Sequence, residues 1–260
     1  MPDRSPQPTA FRSVVLEEAG STNTEAFKLA AAGEPGPLWI MARRQTQGRG
    51  RSGRRWASEP GNLYASLLAR MACPQSVVHQ LSLLAGVAAI EAIGAAAGGP
   101  VAGLRLKWPN DVLIGEAKCA GILPESQIGA AGSEVVIVIG IGINLASHPE
   151  GLGRAATHLA AHGIVVTPEA MLAHLAGAME GWLGSWQCGA GFARVRAAWL
   201  ERGSSIGESL TVDTGRERIA GTFLDLDDGG ALILQDGHGR RRKLTFGDVT
   251  LANGSPGNPR

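Results

Sequence analysis

Gly48-Arg49-Gly50-Arg51-Ser52-Gly53-Arg54-Arg55-Trp56 is the stretch on which the reading of this chain turns. Six arginines and no acid lie between Arg43 and Arg55, although the whole chain carries a formal net charge of only +1. Arginine keeps its proton in proteins and offers a planar fork of donors suited to carboxylate and phosphate. The three interleaved glycines disfavour a regular helix or strand and let the backbone come close to a ligand. A solvated, flexible loop is the bland alternative, so the remaining sequence must supply partners for an anion. Gly48, Gly50 and Gly53 also spell G-x-G-x-x-G. A dinucleotide-binding loop has to open a helix, however, and Trp56 to Asn62 is turn material, so that fingerprint is rejected.

Upstream of the loop, Val14–Glu17 reads as a short strand. Ser21-Thr22-Asn23-Thr24-Glu25 then opens a helix to about Ala32, stopped by Gly33, with Thr22 and Glu25 in a capping-box pattern. Such an N-terminus gathers free backbone N–H groups beside hydroxyl and amide side chains, although capping is the commonest use of those residues. Leu38–Ala42 is a strand leading into the loop, and Leu63–Arg70 is the strand leaving it, with Tyr64 the sole tyrosine. Ser76 is placed to cap a long apolar helix, Val77 to Ala97, that backs the sheet.

Leu104–Lys107 is a strand ending in the turn Trp108-Pro109-Asn110-Asp111. Asp111–Ile114 and Lys118–Leu123 form a hairpin around Gly115-Glu116, which brings Lys107, Asp111 and Lys118 within reach of one another. Glu134–Gly142 is a β-branched run of the kind covered on both faces, with Asn144 just beyond its end. Pro168–Trp186 and Phe192–Arg202 are helices. His158 and His162 are four apart without a neighbouring carboxylate, which favours a solvated pair over a metal site. From Ser204 the pattern becomes period two, with strands at Ser209–Asp213, Arg218–Leu226, Ala231–Gln235, Arg240–Leu244 and Val249–Leu251. That segment is expected to be a small barrel of SH3-like size. The resulting division is an arm over 1–12, a catalytic domain over 13–203, a C-terminal domain over 204–252 and a tail over 253–260.

A chain of 260 residues with 44% hydrophobic and 18% charged residues is ordinary globular material. Near-zero net charge argues against binding nucleic acid or anionic membrane over the whole surface. Cys73, Cys119 and Cys188 are far apart in sequence and form no CxxC, so neither a disulfide framework nor a zinc site is indicated. The apolar runs are too short to span a bilayer, and the first dozen residues lack the apolar segment of a signal peptide. A cytoplasmic protein is expected.

Several fixed cations around one cleft suit the joining of a carboxylate to a nucleotide phosphate. The two reactants repel, and charge moves onto the departing pyrophosphate; preorganised cations offset both effects. Asp111 would serve as a magnesium ligand, directly or through water.

At this point the chain closely resembles the bacterial biotin–protein ligases. Ser21-Thr22-Asn23, GRGRSGRRW at 48–56, KWPND at 107–111, KCAGIL at 118–123 and GIGIN at 140–144 occur in that family's order and spacing. The resemblance implies an α+β core, a mixed sheet backed by helices akin to class II aminoacyl-tRNA synthetases, followed by an SH3-like domain. It implies attack of the biotin carboxylate on Mg-ATP to give biotinyl-5′-AMP, then transfer to a lysine of a biotin carboxyl carrier domain. Carried over residue by residue, Ser21, Thr22, Asn23, Gln45, Arg49, Gly50, Arg51, Lys118 and Gly121 would surround biotin. Arg51, Arg54, Trp56, Lys107, Asn110, Asp111, Lys118 and Asn144 would form the ATP and adenylate side, and Lys118, Arg51 and Lys107 would carry the catalysis.

The arginine loop would act as a lid, ordered over biotin and its adenylate and shielding the anhydride from water. Only a dozen residues precede the first strand, so no operator-binding role is expected; neither nucleic acid nor membrane is an expected partner, and a monomer or weak homodimer is. Two positions depart from the family pattern. Cys119 stands where an aliphatic residue is more usual, placing beside Lys118 a thiol whose reactivity depends on exposure and thiolate fraction. Pro124 follows the AGIL run, so its strand should end there or lie at an edge. A lipoate–protein ligase uses the same acyl-adenylate logic but lacks this arginine loop. An RNA-binding protein would need more aromatic residues than the 5% present.

Overall fold

The computed structural model describes residues 11–129, 134–151 and 155–251; the expected arm over 1–12 and tail over 253–260 lie almost wholly outside them. A seven-stranded mixed sheet is built from β1 (Ser13–Ala19), β2 (Leu38–Gln45), β3 (Leu63–Met71), β4 (Leu104–Lys107), β5 (Asp111–Ile114), β6 (Ala117–Ile128) and β7 (Val135–Ile143). Its order is β1-β2-β3-β7-β6-β5-β4, with β1 parallel to β2 and every other pair antiparallel.

The helix α1 (Thr22–Ala31) covers one face. On the other lie α2 (Gln80–Ala96), α3 (Pro168–Trp186) and α4 (Phe192–Arg202). The period of two in β7 distributes its side chains accordingly. Ile137, Ile139, Ile141 and Ile143 enter the large core with α2, whereas Val136 and Val138 pack with Ala26 and Ala30 of α1. Gly140 and Gly142 continue the valine row past the end of α1, and their missing side chains leave a hollow on that face. This is where the site forms.

Several expectations are refined. The Thr22–Glu25 capping box does not form. Ser21 is the N-cap residue, its side chain makes no capping bond, Thr22 already lies in the helix, and Glu25 pairs with Lys28. The helix expected from Val77 begins at Gln80, because the chain first tightens through a 3₁₀ turn at Gln75–Val77, where Val77 and Val78 donate to the carbonyls of Pro74 and Gln75. Pro124 does not end its strand. β6 continues to Ile128 against β7, while its ladder with β5 stops at Gly121, so Pro124 lies along a stretch laddered on one side only.

The C-terminal strands β8 (Ser209–Asp213), β9 (Arg218–Leu226), β10 (Leu232–Asp236), β11 (Arg241–Leu244) and β12 (Asp248–Leu251) form an antiparallel sheet in the order β11-β10-β9-β8-β12. Among the described residues no ladder joins β11 to β12, so the pairing is that of an open sheet and not of a closed barrel. The apolar core is continuous across the two sheets: Phe223 meets Trp199 of α4 edge-on, with ring centroids 6.5 Å apart. Polar ties add to this, as Trp108 donates to the Gly230 carbonyl at 3.1 Å and Arg196 to that of Leu226 at 2.8 Å. No helix among the described residues is long and apolar enough to cross a membrane.

Candidate active site

The hollow above Gly140 and Gly142 opens into a cleft of about 670 Å³, partly open to solvent. The cleft is walled by the N-terminus of α1, the end of β2 with the arginine loop, the start of β3, the turn into β5, the facing segments of β6 and β7, and the start of β12. Ser21, Thr22, Asn23, Gln45, Arg49, Gly50, Arg51, Arg54, Trp56, Asn110, Asp111, Lys118 and Gly121 all line it, so the sequence reading is gathered in one place. Lys107 does not line the cleft and reaches it through Asp111. Asn144 lines an adjoining hollow with Arg55, Trp56 and Lys118, its amide donating to the Thr157 carbonyl at 2.9 Å.

A polar chain runs along one end. The Thr22 backbone N–H donates to Gln45 Oε1 at 2.8 Å, and Gln45 Nε2 donates to Ser58 Oγ at 3.0 Å. Thr22 Oγ1 lies 3.2 Å from the same Gln45 oxygen and 2.7 Å from Ser66 Oγ. Ser66 Oγ is also 2.6 Å from Asn23 Oδ1, and Asn23 Nδ2 donates to Glu125 at 2.6 Å and to the Leu123 carbonyl at 3.2 Å. A Cβ at Gly140 would fall 2.3 Å from Asn23 Oδ1, so only glycine leaves this amide its place. Backbone and side-chain bonds thus fix each amide in one orientation.

At the other end sits a buried charge cluster. Lys118 pairs with Asp111 Oδ1, and Lys107 Nζ lies 3.1 Å from Asp111 Oδ2. Burial pushes the Asp111 carboxyl up, but Lys118 and Lys107 outweigh it and hold it down at about 2. Both carboxylate oxygens are therefore occupied by ammonium groups. That arrangement does not fit the expected magnesium ligand, and among the described residues no group of three His, Cys, Asp or Glu is placed to hold a metal. His158 Nδ1 lies 2.7 Å from His148 Nδ1, and His162 Nε2 contacts Thr157 Oγ1.

Between the two ends lies Trp56. A Cβ at Gly142 would meet its ring at 2.7 Å and one at Gly121 at 2.9 Å, so these paired glycines form a slot for the indole. Lys118 Nζ stands 5.2 Å from the ring centroid, and Trp56 Nε1 is buried without a hydrogen-bond partner. Such a donor, shielded from water and aimed at no acceptor, is costly unless something else completes it.

The arginine loop turns sharply through Ser52 (φ 55°) and Gly53 (φ 71°), closed by a bridge between Arg49 and Arg55. Arg54 pairs with Asp248 at 2.8 Å. Arg51 donates to the Gly247 carbonyl at 3.2 Å and to Asn110 at 3.3 Å, and its guanidinium lies 5.2 Å from the Phe246 ring centroid. Burial lowers the Arg51 pKa, with Asp248 and Asp111 opposing. The loop arginines thus rest on the C-terminal sheet.

At Cys119 the reactivity that depended on exposure is decided by burial. Its side chain is fully buried, its Sγ is 3.5 Å from the Val112 carbonyl, and burial pushes its thiol up to about 12, so it is not a reactive thiol.

Sequence reasoning missed Ser58, Tyr64, Ser66, Glu125 and Asp248. Ser66 had a signal: it is the lone polar residue in the buried run Leu63–Ala69, on the row of β3 that faces α1.

Residues 16–144 match the sequence profile of the Biotin/lipoate A/B protein ligase family, and residues 205–251 that of the Biotin protein ligase C terminal domain. The chain is 41% identical over 233 residues to a biotin--[acetyl-CoA-carboxylase] ligase of Paracoccus denitrificans, covering 87% of this chain and 95% of that protein. The chain belongs to the biotin–protein ligase family. Another ligase of the same description, from Mycobacterium tuberculosis, is 32% identical over 90% of this chain and 87% of its own length. The fold agrees: the family's Aquifex aeolicus member, solved in complex with biotin and ATP, superposes with a TM-score of 0.76 at 26% identity, covering 92% of this chain and 98% of that one.

Proposed function

We propose that this chain is a biotin–protein ligase that uses ATP to convert biotin to biotinyl-5′-AMP and then biotinylates a lysine of a biotin carboxyl carrier domain. The observation that carries the reading is the position of Lys118, buried beside Asp111 in the same cleft as the amides, hydroxyls and loop arginines, with Trp56 between it and the amide-and-hydroxyl end. A carboxylate held near Lys118 has its repulsion from an incoming phosphate offset at the atoms that must approach. Thr22, Asn23, Gln45 and the backbone of Arg49 and Gly50 hold the ureido end of biotin, with Ser21 and Gly121 completing that wall. Arg51, Arg54 and Asn110 take the phosphates, and Trp56 covers the adenine.

Asp111 holds Lys118 and Lys107 in place and is not itself a metal ligand. Lys107 therefore acts through Asp111, and Asn144 through the backbone beside Lys118. Magnesium accompanying the nucleotide would supply further charge neutralisation at the phosphates, with Asp111 left to the two lysines. No acid–base residue is needed for adenylation, because the carboxylate is already ionised. For transfer, the amine of the carrier lysine attacks the mixed anhydride and AMP departs, its charge met by the same cations.

The division into a catalytic domain over 13–203 and an SH3-like domain over 204–252, the cytoplasmic location and a monomer or weak homodimer belong to this reading. So does the loop over 48–56 closing as a lid. The test is incubation with ATP, labelled biotin and a carrier domain, with lipoate in competition. Biotin-dependent ATP–pyrophosphate exchange and label on the carrier lysine are expected. Transfer of lipoate in place of biotin would refute the substrate assignment.

A further inference from the structure

We propose that Ser66, which does not line the cleft, is a positioning residue that sets substrate specificity by fixing the direction of the Thr22 hydroxyl proton. The argument is a count of protons. The Leu123 carbonyl can only accept, so the Asn23 atom facing it at 3.2 Å must be the donor Nδ2, and Oδ1 therefore faces Ser66. Oδ1 can only accept as well. With Ser66 Oγ only 2.6 Å away, the single Ser66 proton is committed to Asn23.

Ser66 Oγ lies 2.7 Å from Thr22 Oγ1 with no second proton to give, so Thr22 must donate to Ser66. Ser66 is fully buried, so its hydroxyl is satisfied by these protein partners. Thr22 then has no proton left for Gln45 Oε1, 3.2 Å away. Gln45 cannot turn its amide around, since Oε1 accepts the Thr22 backbone N–H at 2.8 Å. Its Nε2 meanwhile donates to Ser58 Oγ at 3.0 Å, and Ser58 in turn donates to the Trp56 carbonyl at 3.2 Å.

Two acceptors, Thr22 Oγ1 and Gln45 Oε1, therefore line the cleft side by side with no proton between them. Such a pair repels until a ligand N–H enters between or against it, and it rejects an oxygen or a methylated nitrogen at that position. The inference deepens the biotin reading and rests on it: the N–H is that of the cyclic urea. A hydroxyl free to rotate would accept or donate equally well and would discriminate poorly. Ser66, two residues along β3 from Tyr64 on the face that carries α1, removes that freedom from the floor of the site.

The test compares biotin with its ureido N-methylated analogue in pyrophosphate exchange, for wild type, Ser66→Ala, Thr22→Val and the double variant. Ser66→Ala should raise the biotin KM about tenfold and reduce the preference for biotin over the analogue about tenfold. The KM for ATP and the kcat should each stay within about twofold, a split that a merely loosened fold would not produce. In the Thr22→Val background, removing Ser66 should cost no further preference, because Ser66 acts through Thr22.

Retention of the wild-type preference in Ser66→Ala, or an undiminished effect of Ser66→Ala without the Thr22 hydroxyl, overturns the proposal. Should Ser66→Ala fail to fold, Ser66→Cys, a weaker donor of similar size, must show an intermediate loss of preference, and an unchanged preference refutes the proposal equally. A wild-type protein without biotin-dependent exchange would instead sink the ligase reading itself.

Discussion

Replacing Lys118 with alanine tests the charge cluster on two scales at once. In catalysis, one preorganised donor facing developing charge is worth about 3 kcal/mol, so exchange should slow roughly 150-fold. In folding, Asp111 stays buried with Lys107, 3.1 Å away, as its remaining ammonium. Losing one partner of a buried carboxylate costs about 3–5 kcal/mol when nothing replaces it. Lys107 holds part of that back, and a cost of about 2 kcal/mol follows, or roughly 4–8 °C in Tm for a chain of this size.

Adding Asp111→Asn removes the stranded charge. The double variant should regain most of the lost stability and none of the activity. The acid limb provides a second check. With the Asp111 carboxyl depressed to about 2, the stability it contributes is present above about pH 4 and is lost as pH falls through about 2. That limb should shrink in Lys118→Ala. Exchange within a few-fold of wild type in folded Lys118→Ala would remove the lysine from the mechanism, and no recovery by Asp111→Asn would refute the stranded-charge account.

Three further outcomes are expected. Gly142→Ala would place a methyl 2.7 Å from the Trp56 ring and evict it from its slot. The KM for ATP should rise about tenfold, the KM for biotin should hardly move, and an unaltered ATP KM would exclude Trp56 from the nucleotide wall. Asp248→Ala removes an ion pair whose members are half exposed, so stability should fall by less than about 1 kcal/mol. Arg54, freed from its partner, must then be ordered by the substrate while Arg51 keeps its Gly247 and Asn110 contacts, and steady-state kinetics should give an ATP KM raised several-fold. Buried Cys119 should resist alkylation at pH 8 in the native protein and react fully in denaturant, as read by peptide mass spectrometry; fast native labelling would contradict its burial.

What could be read in the sequence was whatever lies close along the chain. The hairpin that brings Asp111 to Lys118 spans seven positions, and the glycine row of β7 is visible in the alternation of Val136-Ile137-Val138-Ile139-Gly140-Ile141-Gly142. Thr22 and Asn23 were singled out, but their use was open: capping and ligand recognition call for the same side chains. Only the sheet decides, because Ser66, Gln45 and Glu125 claim those groups before the helix end can. Helix onset at Gln80 turned on i→i+3 bonds that propensity does not report. The thiol at Cys119 has a chemistry set by burial, which no local pattern states.

The arginine loop shows the limit most sharply. Its composition announces an anion site, yet neither Arg54 nor Arg51 stands free: Arg54 is paired with Asp248, 194 positions away, and Arg51 is held by the Gly247 carbonyl. An unpaired cluster of guanidiniums would repel itself and would demand side-chain ordering of each one on binding, at about 1 kcal/mol per arginine. Pairing with the C-terminal sheet meets that cost during folding. The Asp248 carboxylate is half exposed, so its repulsion toward an incoming phosphate is screened, whereas the ordering of Arg51 and Arg54 is kept. The net effect favours nucleotide binding. On this account the small sheet is part of the active site rather than an appendage to it, because Asp248 and the Gly247 carbonyl hold Arg54 and Arg51 at the cleft.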